Sequence, residues 1–528
     1  MEPESLYSRA IELMLRSLAL LRQIPISVVL AALILAAYIY VPRLRFKSQM
    51  AKFPLYLAHL SSAERRAKFL AGAKALYKDG DQKFRGLAYR MQTLDGKRNE
   101  QIVLPLSALP ELRKAPEEEL SFYDMFSKGL EETYTYVDIR FLPEVVDTIK
   151  RDLTPKLTNI TSKICDEVDA ALNTHLPSHD QWTEINVSQT ALDIIAKVSA
   201  HLFIGGDVAS DPGYLDCTKN FTVHLGEATR AIKVTRAWLR PLLAPRLPEV
   251  KRLLATRKKL RSYVKRVMEE REEAKAKDKN WVPPEDMMQW LLDRSDARND
   301  TLEDCTAAQV LLILGTINAS MQTLIAMLHT LAVTPEYVEP LREEVRNTVN
   351  ADGSIPVSAM KEFGKIDSYF KEVGMHFPVI IEPYFRRVRK GYTLSNGQYL
   401  PPGAAIVIAN PLITTNSQYN SFDGFRHYKL RETSAQKDKP NHRWLIANET
   451  EFRWGYDNHV CPGRFYAHNL LKIIFARLVE RYDIKMLGGE TGLENRYAMV
   501  EHGNVVMEPR DKPLLIRRVK GGKEVDKA

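Results

Sequence analysis

The stretch whose residue types could do chemistry runs from Trp454 to Leu478 and contains one cysteine, Cys461. An apolar pattern with helical spacing follows Pro462 and Gly463. The unpaired N–H groups and the partial positive charge at the start of a helix favour thiolate over thiol, and thiolate is the form that binds a metal ion. The sequence therefore predicts that Cys461 is a metal ligand in a loop that leads into a helix.

Two neighbours of this cysteine suit a large, flat ligand. Gly463 has no side chain, so the backbone could approach a planar group closely at that point. His459 stands two residues before Cys461 and could donate a hydrogen bond to an anionic group. The alternative is a free cysteine at a helix cap, because Pro-Gly-Arg is also a common turn.

This loop resembles the haem-binding loop of the cytochrome P450 family, and in particular its filamentous-fungal branch. Five positions carry the resemblance: Trp454, Asp457, His459, Cys461 and Gly463. Trp454 replaces the usual Phe, and Asp457 replaces the commoner Gly. The resemblance implies that haem b is bound here with the Cys461 thiolate as axial iron ligand, and that Trp454 and Gly463 contribute to the cofactor site. Thiolate ligation favours cleavage of the O–O bond.

The resemblance also implies further residues of the cofactor site. His459, Arg386 and Arg151 would hold the haem propionates, although Arg151 could equally be a surface arginine. Glu372 and Arg426 would brace the core beneath the haem.

One residue of the family's Glu-x-x-Arg pattern is missing from this chain. The pattern Glu-x-x-Arg begins at Glu372 but ends at Met375, and a thioether supplies none of the five N–H donors of a guanidinium. A lone buried carboxylate is costly. We therefore expect Glu372 to pair with Arg426 or with a backbone donor.

The segment that resembles the helix over the haem face departs from the pattern as well. Ala319 stands where the family has its proton-delivering threonine. Asn318 cannot relay a proton by ionising and could equally only bend the helix, whereas Ser320 or Thr316 could act through an ordered water. Three residues are expected near the oxygen site: Gly315, Asn318 and Ser320.

The implied function is a membrane-anchored haem-thiolate monooxygenase that receives electrons from NADPH through a flavoprotein reductase. Its expected substrate is a small apolar intermediate of fungal secondary metabolism, terpenoid- or polyketide-like, which it would hydroxylate, epoxidise or oxidise in several steps. Because of Met375 and Ala319, two alternatives stay open. One is a haem-thiolate isomerase, dehydratase or cyclase, and the other is a catalytically impaired haem-binding protein.

The composition agrees with a globular protein and limits the other function classes. The chain has 528 residues and a formal net charge of +9, which suits an anionic membrane or an acidic electron donor, although a solvated basic surface explains it equally. No nucleic-acid motif is present, so we expect no nucleic-acid partner. The cysteines are far apart in sequence and form no CxxC pair, which argues against a zinc site or a disulfide framework and fits a reducing compartment.

The N-terminal region contains a candidate anchor. Residues 24–41 include no charged residue, and a helix of that length spans about 27 Å, close to the thickness of a bilayer core. A cleaved signal peptide is the alternative, but Pro42 and the basic residues Arg43, Arg45 and Lys47 follow instead of a small-residue cleavage site. The basic flank predicts a single-pass signal-anchor in the endoplasmic reticulum membrane, with the catalytic domain facing the cytosol.

The remaining patterns complete the expected architecture. We predict a mainly α fold with small β-sheets (α+β), the cytochrome P450 fold. The predicted order is a short segment over 1–23, the transmembrane helix over 24–41, a linker over 42–61 and one catalytic domain over 62–528. Asp95-Gly96 and Asn396-Gly397 are hairpin-turn signals, and residues 482–518 read as short strands.

A long run without charged residues lies between Asp304 and Glu336. Its length would allow a second membrane span, but four polar residues interrupt it, and polar groups are costly in lipid. These are Gln309, Asn318, Gln322 and His329. We predict a long helix buried inside the protein.

Overall fold

A computed structural model of the chain describes residues 26–93, 100–411, 421–435 and 438–519. Helices dominate these residues and the sheets are small, which confirms the predicted mainly α class. In chain order the described α-helices are α1 (Ile26–Met50), α2 (Ser62–Ala71), α3 (Ala73–Phe84), α4 (Leu109–Leu112), α5 (Phe122–Leu130), α6 (Glu132–Thr135), α7 (Leu142–Thr148), α8 (Thr154–His175), α9 (Val187–Phe203), α10 (Pro212–Val234), α11 (Arg240–Leu243), α12 (Pro248–Lys277), α13 (Met287–Arg298), α14 (Leu302–Val333), α15 (Val338–Thr348), α16 (Ala359–Glu362), α17 (Gly364–His376), α18 (Arg426–Thr433) and α19 (Arg464–Arg481).

The described strands form four small sheets. The strands are β1 (Tyr89–Gln92), β2 (Glu100–Val103), β3 (Leu120–Ser121), β4 (Thr183–Asn186), β5 (Tyr384–Val388), β6 (Tyr392–Thr393), β7 (Tyr399–Leu400), β8 (Ala405–Ile408), β9 (Tyr482–Lys485), β10 (Val500–His502), β11 (Val505–Met507) and β12 (Pro513–Arg518). The largest sheet has the order β1-β2-β8-β5-β3, and the others are β4-β12-β9, β10-β11 and β6-β7.

The two hairpin signals have different outcomes. Strands β6 and β7 pair in antiparallel fashion around Asn396-Gly397, and Gly397 has a φ of 82°, a backbone conformation that favours glycine. This confirms the second hairpin. Strands β1 and β2 also pair in antiparallel fashion, but the Asp95-Gly96 turn lies outside the described residues.

Helix α14 is the central helix of the largest apolar core, as predicted. Thr301 caps its start, because its hydroxyl accepts the Asp304 N–H at 3.3 Å and the Asp304 carboxylate accepts the Thr301 N–H at 2.8 Å. Among the described residues this helix is long and apolar enough to cross a membrane, yet 67% of its most apolar window is buried within the protein. Its polar interruptions have internal partners: Gln309 Nε2 donates to the Phe203 carbonyl at 2.8 Å.

Helix α1 continues through the first half of the predicted linker. It runs through Pro42 to Met50, although a proline inside a helix removes one backbone hydrogen bond. Met50 and Phe53 are buried in the core that includes β5 and β8, and Phe46 packs against the same cluster. These apolar contacts stabilise residues 46–53 against the domain, and the helix extends into the stretch predicted as a linker.

Candidate functional site

The cysteine loop is closed by short backbone contacts. The Cys461 N–H donates to the Trp454 carbonyl at 2.6 Å. Gly455 has a φ of 87°, and a Cβ at that position would lie 2.5 Å from the His459 carbonyl oxygen, so only glycine fits this turn. The Trp454 indole N–H donates to the Trp444 carbonyl at 2.9 Å, which fixes the first half of the loop.

The Cys461 thiol lies half-buried just before α19, for which Gly463 is the N-cap. Burial raises the pKa of Cys461 above its ordinary value, and this outweighs the lowering by the Gly463 and Arg464 N–H groups and the Arg464 guanidinium. The helix N-terminus does lower the pKa of Cys461, as expected, but the increase caused by burial is larger. A Cβ added at Gly463 would meet no atom within 4 Å, so this face of the loop is open to a large group.

Arg386 on β5 is a buried cation that lines a cavity beside the cysteine loop. Arg386 is only 7% exposed. Its guanidinium lies over the Tyr384 ring at 4.3 Å and donates to the Phe385 carbonyl at 2.7 Å. Burial lowers the pKa of Arg386. Among the described residues no carboxylate lies within ion-pair distance of it. Glu117 and Asp457 line the same cavity and partly offset the charge of Arg386, but neither forms a direct ion pair with it. A buried guanidinium without a direct ion pair is unfavourable, so the site fits an anionic ligand group.

His459 faces the same space as Arg386. Both line a cavity of about 380 Å³ between α5, α7 and the cysteine loop. His459 Nε2 lies 3.4 Å from a Glu117 carboxylate oxygen, and its ring stacks on Phe122 at 4.7 Å. Burial would raise the pKa of Glu117, but hydrogen bonds from His459, Ser121 and two backbone N–H groups lower it to about 2. Glu117 thus fixes the orientation of the imidazole.

Arg151 lies away from this cavity. Its side chain is 68% exposed and its guanidinium pairs with Asp147 at 2.8 Å, while the neighbouring Lys150 lines the cavity. Residues 149–153 form a π-helical turn, which rotates side chains away from the positions that α-helical spacing predicts. Lys150 is therefore a cationic candidate that sequence reasoning missed, and the adjacent Lys-Arg pair was the available signal.

Glu372 on α17 has several partners although the arginine of the family pattern is absent. It is fully buried, and its carboxylate accepts the Asp423 N–H at 3.0 Å and the Arg426 Nε–H at 3.2 Å. His376, one turn further along α17, lies 3.2 Å away. The Met375 sulfur instead lies 3.2 Å from a ring nitrogen of His427. The structure thus brings Glu372 and Arg426 together through one guanidinium nitrogen rather than through a bidentate pair.

The middle of α14 contains an exposed stripe in an otherwise buried helix. Gly315 and Ala319 are exposed, Asn318 is half-buried and Ser320 is buried. The hydroxyl of Thr323, half-buried one turn after Ala319, donates to the Ala319 carbonyl at 2.9 Å. Thr323 was not singled out from the sequence, because its position does not match the family pattern. Ser320 lies on the buried side of the helix, so Thr323 is better placed at this stripe.

Comparisons with known proteins agree with the motif and the geometry. The family model described as Cytochrome P450 matches residues 148–511. The chain is 82% identical over 520 residues to cytochrome P450 monooxygenase TES1 of Alternaria alternata, covering 98% of this chain and 99% of that protein. It is 27% identical to cytochrome P450 monooxygenase AN1598 of Emericella nidulans, covering 86% and 84% of the two chains. It is 26% identical to ent-kaurene oxidase P450-4 of Gibberella fujikuroi, covering 86% and 89%.

The extent of these matches decides the family. The family model covers more than half of the chain, and the Alternaria relative covers nearly all of it at high identity. The motif residues of the cysteine loop described above lie inside the region that the family model matches. The chain belongs to the cytochrome P450 family and is a monooxygenase of that family.

Proposed function

We propose that this monooxygenase binds haem b at Cys461 and oxidises a small apolar intermediate of fungal secondary metabolism. One observation supports it above the others: among the described residues the buried Arg386 guanidinium forms no direct ion pair with a carboxylate, and it shares a cavity with His459. That arrangement suits a haem propionate, and the open face at Gly463 suits the haem plane.

Each residue has a defined task at this site. Haem, when bound, supplies the activation of molecular oxygen. Cys461 would ligate the iron through its thiolate. Arg386 and His459 would bind the propionates, and Lys150 would add a cation at the edge of the cavity. Arg151 pairs with Asp147 at the surface, so its predicted propionate contact would need a different side-chain conformation.

The substrate class is proposed from the helix face and from the relatives. Gly315 and Ala319 leave an exposed, uncharged stripe in the middle of α14, which favours an apolar substrate. Relatives of this chain are named ent-kaurene oxidase, and by that name they act on ent-kaurene. This supports a terpenoid-like substrate over a polyketide-like one.

Membrane anchoring is proposed from α1. Apolar side chains on this helix are strongly exposed, including Leu33, Ile34 and Tyr38 at 60%, 70% and 79%. Such a run is unfavourable in water and suits lipid. We propose a single-pass anchor in the endoplasmic reticulum membrane with the domain facing the cytosol, where an NADPH-dependent flavoprotein reductase would supply electrons.

A rearrangement of an oxygenated intermediate, in addition to monooxygenation, is the second candidate reaction for this chain's own substrate. Ala319 is exposed and has no hydroxyl, so the usual side chain for proton delivery is absent there. A rearrangement of an already oxygenated substrate would need no such delivery. Turnover without NADPH would identify that chemistry.

The proposal is tested with the full chain in microsomes that also contain a reductase. The reduced protein with carbon monoxide should show an absorption band at about 450 nm, the signature of thiolate ligation. Terpenoid and polyketide-like compounds are then compared by the change in iron spin state and by NADPH-dependent product formation.

The outcomes separate the parts of this proposal. The band together with an NADPH-dependent oxidised product supports it. A band with products that form equally well without NADPH and oxygen overturns the monooxygenation and leaves the haem site. Absence of the band in folded, haem-supplied protein overturns the assignment of Cys461.

A further inference from the structure

A buried carboxylate on α17, outside the site described above, connects two segments of the protein. Asp367 is 1% exposed. One of its oxygens accepts the Trp444 N–H at 3.0 Å. The other lies 3.0 Å from His468 Nε2 and 2.8 Å from Lys472 Nζ, both on α19. A single side chain therefore joins the loop before the cysteine to the helix after it.

The first connection leads to Cys461 through two tryptophans. The Trp444 ring packs against the Trp454 ring at 5.1 Å, and the Trp444 carbonyl accepts the Trp454 indole N–H at 2.9 Å. The Trp454 carbonyl in turn accepts the Cys461 N–H at 2.6 Å. A displacement of Trp444 would therefore shift Trp454 and, with it, the carbonyl that accepts the Cys461 N–H.

The second connection reaches the cysteine from the other side. Helix α19 begins at Arg464, three residues after Cys461, and His468 and Lys472 lie one turn apart on one face of it. Both contact Asp367, so the rotation of α19 about its axis and its position along that axis are fixed relative to α17. Since a helix transmits such constraints along its axis, the thiol at its N-terminal end is fixed as well.

The charges around Asp367 are balanced. Burial alone would raise the pKa of Asp367, but Lys472 and His468 hold it far below its usual range. Lys472 is fully buried, and the Arg431 guanidinium lies 3.6 Å from the same carboxylate. Buried ion pairs add little net stability compared with apolar packing, although they can specify one arrangement of neighbouring elements.

We propose that Asp367 is a positioning residue that holds Cys461 in the geometry required for iron ligation. It does so by tying both flanks of the cysteine loop to α17 at one carboxylate. This inference rests on the proposed haem function, and it adds a residue that touches neither cofactor nor substrate.

The test compares full-length Asp367→Asn with the parent and with a matched control, Glu344→Gln. Asparagine keeps the size but removes the charge, and its amide group places N–H donors against Lys472 or Trp444. The Glu344 carboxylate accepts the Lys365 and Ile366 N–H groups at 2.6 and 2.9 Å at the start of the same helix. Glu344 acts on the charge of Lys472, but within the described residues it makes no hydrogen bond to Trp444, His468 or Lys472, so its loss should weaken α17 without releasing the cysteine loop.

Two quantities are measured for each protein: the unfolding midpoint, and the fraction of carbon monoxide-bound haem with the thiolate band, recorded well below that midpoint. We expect both variants to unfold at lower temperature. Only Asp367→Asn should lose the thiolate band, by at least about twofold per haem, with a new band at shorter wavelength. A thiolate band of parental size in Asp367→Asn would overturn the inference, as would an equal loss in Glu344→Gln.

A second variant covers the case in which Asp367→Asn does not accumulate. Lys472→Met keeps the length of the side chain and leaves His468 and Arg431 as counter-charges for Asp367. It should show the same partial loss of the thiolate band, whereas a parental spectrum would overturn the inference. If the parent itself lacks the band, the proposed haem function fails instead, so the two failures are distinguishable.

Discussion

The surroundings of Cys461 and the middle of α14 differ in the burial and the pairing of their side chains. On α17, behind the cysteine loop, the buried carboxylates of Asp367 and Glu372 are paired with Lys472 and Arg426, respectively. Each pair joins two elements that are distant in sequence. Breaking one such pair removes one of several partners of a buried carboxylate, and loss of all compensation would cost about 3–5 kcal/mol. These contacts specify one arrangement of the elements that they join.

The face of α14 that includes Gly315 and Ala319 has the opposite character. Its residues are small and exposed, and a Cβ added at Gly315 would meet no atom within 4 Å. Exposed substitutions away from buried networks usually change stability by less than about 0.5 kcal/mol. Under the proposed function, the two regions have different roles: the cysteine region would hold the cofactor, whereas the face of α14 can change its residues while the fold persists.

The strongest test of the rigid region is Cys461→Ser. A serine hydroxyl does not ionise at neutral pH, so we expect complete loss of the thiolate band and of monooxygenase turnover with an unchanged far-UV circular dichroism spectrum. Cys165→Ala is the control. Burial raises the pKa of the Cys165 thiol to about 12, and that side chain lies in the core away from the loop. The control should keep the band, and a band in Cys461→Ser would contradict the ligand assignment.

The next largest effect is expected for Arg386→Leu, measured as haem affinity by titration of the haem-free protein. Losing a charge-assisted hydrogen bond costs about 1.5–3 kcal/mol, which corresponds to roughly 10–100-fold weaker binding. Arg151→Leu is the control, because its side chain is exposed and paired with Asp147. We expect less than about threefold change there. Equal losses in both variants would place Arg151 at the cofactor after all.

These two arginines show which features of the site cannot be predicted from the sequence. The turn at Asn396-Gly397 can be predicted from the local sequence, because the turn residues themselves allow the positive φ that this hairpin requires. The burial of α14 follows from its apolar run in the same way. Whether Lys150 or Arg151 faces the cavity depends on a π-helical turn that no spacing rule anticipates.

Long-range contacts account for the other differences. Residues 42–50 read as a linker, yet they are helical because Met50 meets an apolar cluster supplied by strands more than 300 residues later. The role of Asp367 is equally invisible in sequence, since its partners follow it by about 80–100 residues. The motif around Cys461 was recognisable because all of its parts are adjacent in the chain.

A smaller effect is expected for Met375→Arg, which restores the family pattern. Here the position is buried and its sulfur contacts His427, so the larger, charged side chain must displace that ring. Overpacking of this kind costs about 1–3 kcal/mol, whereas Met375→Leu should cost less than about 1.5 kcal/mol. We expect a lower unfolding midpoint for the arginine variant and no gain in haem content. A higher midpoint would show that Glu372 still lacks a partner that arginine supplies.

The smallest effect on stability, and the sharpest test of the permissive face, is Ala319→Thr. The position is exposed, so the midpoint should change by no more than the helix propensity of threonine, roughly 0.7 kcal/mol. The new hydroxyl would stand one turn before Thr323, whose own hydroxyl is bonded to the carbonyl of residue 319. If proton delivery limits the parent, the ratio of product to NADPH consumed should rise. Ala319→Val has the same branched shape without the hydroxyl and should not raise that ratio. An equal change in both variants would mean that the volume of the pocket, rather than proton delivery, controls turnover at this face.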